Sequence, residues 1–206
     1  NDVPNYPSPH GMAGWTKGDA ALLIYDRYDI WSFDPEGKKA PVRLTKNGRE
    51  NKVTYRRIVL DREQMDIDLK EPMLMTGFNE VDKSTAVYRS RLIAPATPTL
   101  LAGGNFNYDN VMKAKNADKY IYSKENFEVF PDVWVADANF KKNLQLTQGI
   151  RQQDAFIWGT AELISWISLD GKKLEGVIYK PANFDPNKKY PMIVNFYERN
   201  AETLNK

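Results

Sequence analysis

The serines of this chain are Ser8, Ser32, Ser84, Ser90, Ser123, Ser165 and Ser168, and none has glycine at both second-neighbour positions. No Gly-x-Ser-x-Gly elbow, which would expose a nucleophilic hydroxyl at a strand-to-helix turn, is therefore present. His10 is the one imidazole that could act as a base, and it sits among Pro4, Pro7, Pro9 and Gly11 in a lead-in that reads as loop. Cysteine is absent, which excludes disulfides, thiolate ligands and thiol nucleophiles. With one histidine and no thiol, a multi-His or Cys zinc site cannot form, and a metal enzyme is disfavoured. Asp61, Glu63, Asp66 and Asp68 crowd carboxylates together, but the run lacks the glycine and closing glutamate of a calcium loop and reads as a solvated excursion between strands. Gly103-Gly104-Asn105 is followed by no Lys-Ser/Thr and opens no helix, so it is no phosphate loop. Lys38-Lys39 and Arg56-Arg57 read as solvated pairs beside turns. No metal and no cofactor is expected.

The elements that could position such groups are bounded by composition. The 206 residues carry 29 basic and 27 acidic side chains, a net charge of +2, and 12% aromatics. That is too aromatic and too balanced for a disordered chain, and the interspersed signs make no nucleic-acid-binding face. The longest aliphatic and aromatic run, Ala20 to Tyr25, falls far short of the ~20 residues that cross a bilayer, so no membrane span is expected. No basic and apolar leader is visible, so any targeting peptide is expected to have been removed or to lie outside this sequence.

Short apolar runs alternate with turn signals. Ala20–Tyr25, Asp29–Asp34 and Val42–Thr45 are separated by Pro35-Glu36-Gly37-Lys38 and closed by Asn47-Gly48. Runs of this length and spacing predict an all-β architecture. An internal repeat sharpens it. Asp29, Trp31 and Asp34 recur as Asp132, Trp134 and Asp137, and Leu44-Thr45 and Gly48 recur as Leu146-Thr147 and Gly149. A weaker copy, Ala86–Leu92 with Leu100–Gly103, lies between them. A repeat of about 45–55 residues with about four strands each is the signature of β-propeller blades, which bury two apolar faces by stacking on neighbours. Three blades are expected, at 12–48, 53–104 and 108–149, with Trp31 and Trp134 packed between blades and Asp29 and Asp132 satisfying backbone amides. Three blades do not close a ring, so the sequence is read as a fragment.

After Gly149 the pattern changes. Gly159 to Leu169 reads as a strand, Asp170-Gly171 as a hairpin turn and Lys173 to Lys180 as the return strand. Pro181 to Lys189 is a polar connection, and Tyr190 to Tyr197 is a nearly continuous apolar run of the kind found in strands buried on both faces. The expected division is a partial propeller over 1–155 and the first strands of a second, α/β domain over 156–206.

The segment Ser168 to Glu198 resembles the junction between the β-propeller and the α/β-hydrolase domain in the prolyl oligopeptidase family of serine peptidases, dipeptidyl peptidase IV-like branch. The resemblance rests on Asp170-Gly171, Gly176, Pro181, Phe184-Asp185-Pro186 and Lys188-Lys189-Tyr190-Pro191. It implies a parent enzyme that hydrolyses short peptides, with the propeller gating access. It also implies a nucleophile, acid and base beyond Lys206, so that this chain alone is inactive, and a periplasmic or secreted location. In that branch a tyrosine at the end of the buried strand donates its hydroxyl to the oxyanion, and Tyr197 stands at the matching position, with packing into a core as the plainer reading. The family follows that tyrosine with a small, glycine-containing segment, whereas this chain has Glu198-Arg199-Asn200-Ala201. The paired glutamates that hold a substrate's amino terminus in dipeptidyl peptidases are absent, and in the family they precede this part of the propeller. The expected partners are peptide substrates, the remaining hydrolase domain and, for the parent, a homo-oligomer as an alternative; the isolated chain is expected to self-associate through the unpaired outer face of its first blade and the lone strand near Ile193. The competing reading is a non-catalytic propeller that binds a protein or a glycan.

Overall fold

A computed structural model describes residues 6–197 and 199–206; Pro4, in the lead-in before His10, and Glu198 lie outside the described residues. The chain is mainly β. The first sheet comprises β1 (Met12–Thr16), β2 (Leu22–Tyr25), β3 (Ile30–Phe33) and β4 (Val42–Arg43). The second comprises β5 (Val53–Arg57), β7 (Met73–Asn79), β8 (Thr85–Ser90) and β9 (Thr99–Ala102). The third comprises β10 (Asn107–Lys113), β11 (Lys119–Asn126), β12 (Val129–Asp137) and β13 (Asn143–Gln145). Each is an antiparallel meander in sequence order, and none closes on itself. Their bounds fall within a few residues of the three repeat units. The excursion after β5 does more than expected: its two-residue strand β6 (Asp66–Ile67) adds to the first sheet, parallel to β1. Ile67 is buried there among residues of both sheets.

The sheets stack because their strands are apolar on both faces. Met75 and Leu74, neighbours on β7, point to opposite sides. Met75 joins Leu23, Ile30 and Leu44 of the first sheet in one core, and Leu74 joins Tyr108, Tyr120, Tyr122 and Ala136 of the third in another. Trp134 packs against this second core as expected, but Trp31 lies outside both clusters. The repeat places the two tryptophans alike. The third sheet turns its Trp134 face to the second sheet, whereas the first sheet turns its Ile30 face, so Trp31 points away.

The repeated aspartates are tethers. Asp29 accepts the Thr45 hydroxyl at 2.8 Å, and Thr45 Oγ1 accepts the Ile30 N–H at 2.9 Å. Asp132 accepts the Thr147 hydroxyl at 2.5 Å, the Gly149 N–H at 2.7 Å and Gln145 Nε2 at 2.8 Å, and Thr147 Oγ1 accepts the Val133 N–H at 2.9 Å. Each carboxylate thus closes the gap between the third strand of its sheet and the chain that follows the fourth.

After the short helix α2 (Ile150–Gln153), the expected hairpin is observed as β14 (Thr160–Ile167) and β15 (Lys173–Lys180), paired along their full lengths. The buried strand expected at Tyr190–Tyr197 is not formed. Residues 191–197 have no strand assignment, and Ile193 is 97% and Phe196 87% exposed. An apolar run needs neighbouring strands to become a sheet interior, and none lies beside this one among the described residues.

Candidate functional site

The central turns of the first and second sheets meet at one end of the stack. Tyr28, in the β2–β3 turn, donates its hydroxyl to Glu80 of the β7–β8 turn at 2.9 Å, and Arg27 Nε reaches the same carboxylate at 2.8 Å. The guanidiniums of Arg27 and Arg49 each lie 5.3 Å from the Tyr28 ring centroid. Burial pushes the Tyr28 phenol up, and its bond to Glu80 adds to that. The third sheet joins through Thr85, at the start of β8, whose hydroxyl donates to Asn107 Oδ1 at 2.9 Å. A shallow cleft of about 180 Å³ opens beside this turn, lined by Asn79, Asp82, Ser84, Tyr88 and Leu100. Asp82 is taken up by Ser84 and Asn79, so the cleft has no converging set of free acids or bases.

The hairpin docks on the same end. Trp158 Nε1 donates to the Phe127 carbonyl at 2.6 Å, and the Phe127 ring packs against Trp158 and Tyr179 at 5.9 and 4.9 Å. On the neighbouring turn, Lys83 Nζ lies 2.7 Å from Glu175 Oε2 of β15. The Lys83 contact outweighs desolvation and holds the Glu175 carboxyl below its usual range.

From the hairpin the chain runs to Tyr197 through a closed connection built of the residues that carry the sequence resemblance. The Phe184 and Tyr190 rings stack at 5.2 Å, and the Tyr190 hydroxyl accepts the Asp185 N–H at 2.9 Å. Lys180, at the end of β15, lies 5.2 Å from the Phe184 ring centroid and 2.6 Å from Glu162 of β14. The loop is thereby pinned to the hairpin. Beyond Tyr197, a single turn of 3-10 helix (Asn200–Thr203) leads to Asn205, whose Nδ2 reaches the Asp82 carbonyl at 3.4 Å. Tyr197 therefore lies on a stretch anchored before it to the hairpin and after it to the β7–β8 turn, with its own side chain 78% exposed.

Of the residues singled out from sequence, His10 is exposed in the lead-in. The carboxylates of 61–68 gather no metal-ligating cluster among the described residues. The described residues contain no helix long and apolar enough to cross a membrane. The Glu80–Tyr28 and Lys83–Glu175 contacts were not legible, because a charged residue in a polar turn looks the same in sequence whether it faces solvent or a partner distant in the chain.

No protein-family model and no curated protein matches the chain. Solved structures do. Dipeptidyl peptidase 4 of Porphyromonas gingivalis matches at 20% identity and a TM-score of 0.60, over 86% of this chain and 24% of that one. A Bacteroides ovatus protein assigned as a dipeptidyl aminopeptidase IV matches at 13% identity and a TM-score of 0.61, over 86% of this chain and 27% of that one. The fold is thus similar to part of these peptidases, and the chain spans about a quarter of their length.

Proposed function

We propose that this chain is a segment of a serine peptidase of the prolyl oligopeptidase type, dipeptidyl peptidase IV-like branch. The three sheets are blades of its propeller. The hairpin and the 190–197 segment begin the α/β-hydrolase domain, and the nucleophile, acid and base lie in polypeptide after Lys206. The observation that carries the reading is the fold likeness to dipeptidyl peptidase 4 over 86% of the chain. The residues of the junction motif also build the anchored connection to Tyr197.

In this reading the stacked sheets roof the active site and admit short peptides while excluding folded proteins by size. The catalytic serine attacks the scissile carbonyl with its proton taken by the histidine, and the Tyr197 hydroxyl donates to the developing oxyanion. The exposed run at 192–197 becomes a sheet interior once the rest of the domain packs beside it. The binding-module alternative has no observation in its favour beyond the generality of the fold. A periplasmic or secreted location is supported by the family resemblance alone.

The test uses the full-length protein. Turnover of a chromogenic dipeptide, with fluorophosphonate labelling of a serine outside residues 1–206, is expected. A full-length protein that shows neither is a binding module. Turnover by the isolated 206-residue chain would contradict the placement of the triad.

A further inference from the structure

Lys83 is held in an unusual way for a turn lysine. It is 7% exposed. Its backbone is left-handed, with φ at 62°, a conformation that side-chain-bearing residues rarely adopt. Its ammonium donates to the Glu80 carbonyl at 2.5 Å and to Glu175 Oε2 at 2.7 Å. The same turn reaches two other parts of the molecule. The Glu80 carboxylate takes Arg27 and Tyr28 of the first sheet, and the Asp82 carbonyl takes Asn205 beyond Tyr197. Polar contacts thus run without a gap from Tyr28 through Glu80 and Lys83 to Glu175 on β15.

The ring contacts of Phe127 with Trp158 and Tyr179 are apolar and tolerate sliding, and the Trp158–Phe127 hydrogen bond holds the chain ahead of the hairpin, not β15 itself. The ion pair does not tolerate sliding, because a shift that separates the charges leaves the Lys83 ammonium, 7% exposed, desolvated and without its carboxylate, while Glu175, 30% exposed, keeps Lys173 at 3.5 Å. It therefore acts on register more than on affinity. Glu175 lies on the strand that ends at Lys180, and Lys180 holds Phe184 at the head of the connection to Tyr197.

We infer that Lys83 is a positioning residue, whose ion pair with Glu175 sets the register of the β14–β15 hairpin on the β7–β8 turn and so places the segment that carries Tyr197. The effect on catalysis rests on the peptidase reading; the docking of the hairpin does not.

The test compares Lys83→Met, Glu175→Gln, the double variant and Lys83→Arg in the full-length protein, by hydrogen exchange and by steady-state kinetics on a short chromogenic peptide. Each single variant is expected to speed amide exchange over residues 160–180 by about tenfold, since it breaks the pair, and Glu175→Gln also strands the buried Lys83 ammonium. The double variant, with no buried charge stranded, should exchange more slowly than Glu175→Gln, and Lys83→Arg should approach the wild type. In the same single variants kcat should fall by about tenfold with KM within about twofold, as expected of a displaced catalytic group. Hairpin exchange within about twofold of wild type in Glu175→Gln would overturn the inference, whether or not Lys83→Met folds. Faster exchange with kcat unchanged overturns the positioning role as well. A wild-type protein without turnover instead removes the peptidase reading, and the exchange data alone then decide whether the pair sets the hairpin's register.

Discussion

Asp29 and Asp132 stand at the same point of two different sheets, and each is capped by a threonine hydroxyl arriving from beyond the fourth strand, Thr45 at 2.8 Å and Thr147 at 2.5 Å. Both carboxylates are inaccessible to water, at 0% and 2% exposure. Removing either strands its donors in the interior. Asp132→Ala leaves the Thr147 hydroxyl, the Gly149 N–H and the Gln145 amide without their acceptor, and should lower stability by about 2–4 kcal/mol in urea unfolding at neutral pH. Asp29→Ala should do the same. A loss below ~0.5 kcal/mol, the size of an ordinary surface substitution, would show that the tether is idle.

The two tethers should respond to pH in opposite directions. Desolvation raises both carboxyls, and at Asp29 it prevails over the Thr45 and Arg43 contacts, so the folded pKa lies above the unfolded one. At Asp132 the bonds from Thr147, Gly149 and Gln145 outweigh desolvation, so the folded pKa lies below it. The folded state therefore binds more proton than the unfolded at Asp29 and less at Asp132. The stability of wild type relative to Asp132→Asn should shrink as pH falls through and below the ordinary aspartate range. Relative to Asp29→Asn it should grow as pH falls towards that range from above. Urea midpoints measured between pH 3 and 7 read both slopes, and slopes of the same sign would refute the assignment.

Gly48 follows Thr45 and packs on the first tether. A Cβ there would stand 2.5 Å from Asp29 Oδ1 and 3.0 Å from the Val53 carbonyl. The backbone cannot retreat, because it starts the one-turn helix α1 (Gly48–Asn51) against β5. Gly48→Ala should destabilise the chain by about 1–3 kcal/mol, as overpacking does. Gly18→Ala, where nothing lies within 4 Å but φ is 68°, should show only the smaller penalty of the left-handed backbone, about 1 kcal/mol. Equal losses at the two sites would mean that the Asp29 contact is not tight.

The tethers and the sheets were legible because repetition is a strong signal: Asp29, Trp31, Thr45 and Gly48 recur with Asp132, Trp134, Thr147 and Gly149 in the same order. Their bonding partners lie within one repeat, close in sequence. The face that each sheet turns to its neighbour was not legible, since Ile30 and Trp31 are both apolar and only stacking decides which is inside. Nor was Lys83–Glu175, a pair whose members are distant in sequence and whose residue types are those of any solvated turn. The run at 190–197 shows the converse limit. Its composition is that of a sheet interior, but composition does not supply the strands that would surround it.

The exposed apolar surface of the hairpin and the following segment should make the isolated chain self-associate. Trp166, Ile167, Ile193 and Phe196 are all exposed apolar side chains that a second copy could bury. Light scattering is expected to give a mass above the 23.7 kDa of one chain. Ile193→Lys combined with Phe196→Glu should shift the distribution towards that value. A wild-type sample that stays at the mass of one chain at high concentration would show that these surfaces do not pair with copies of themselves.

Tyr197 offers the sharpest test of the peptidase proposal. The chain is anchored before it at the Phe184–Tyr190 loop and after it at Asn205, while its side chain is exposed. An aromatic residue kept for packing would be insensitive to loss of its hydroxyl, because phenylalanine preserves the ring. An oxyanion donor would not be. In the full-length protein Tyr197→Phe should lower kcat by about 10²–10³, the range found when one such donor is removed, with KM and thermal stability nearly unchanged. If Tyr197→Phe retains wild-type turnover, the phenol is a packing group and the oxyanion must be stabilised from elsewhere in the protein.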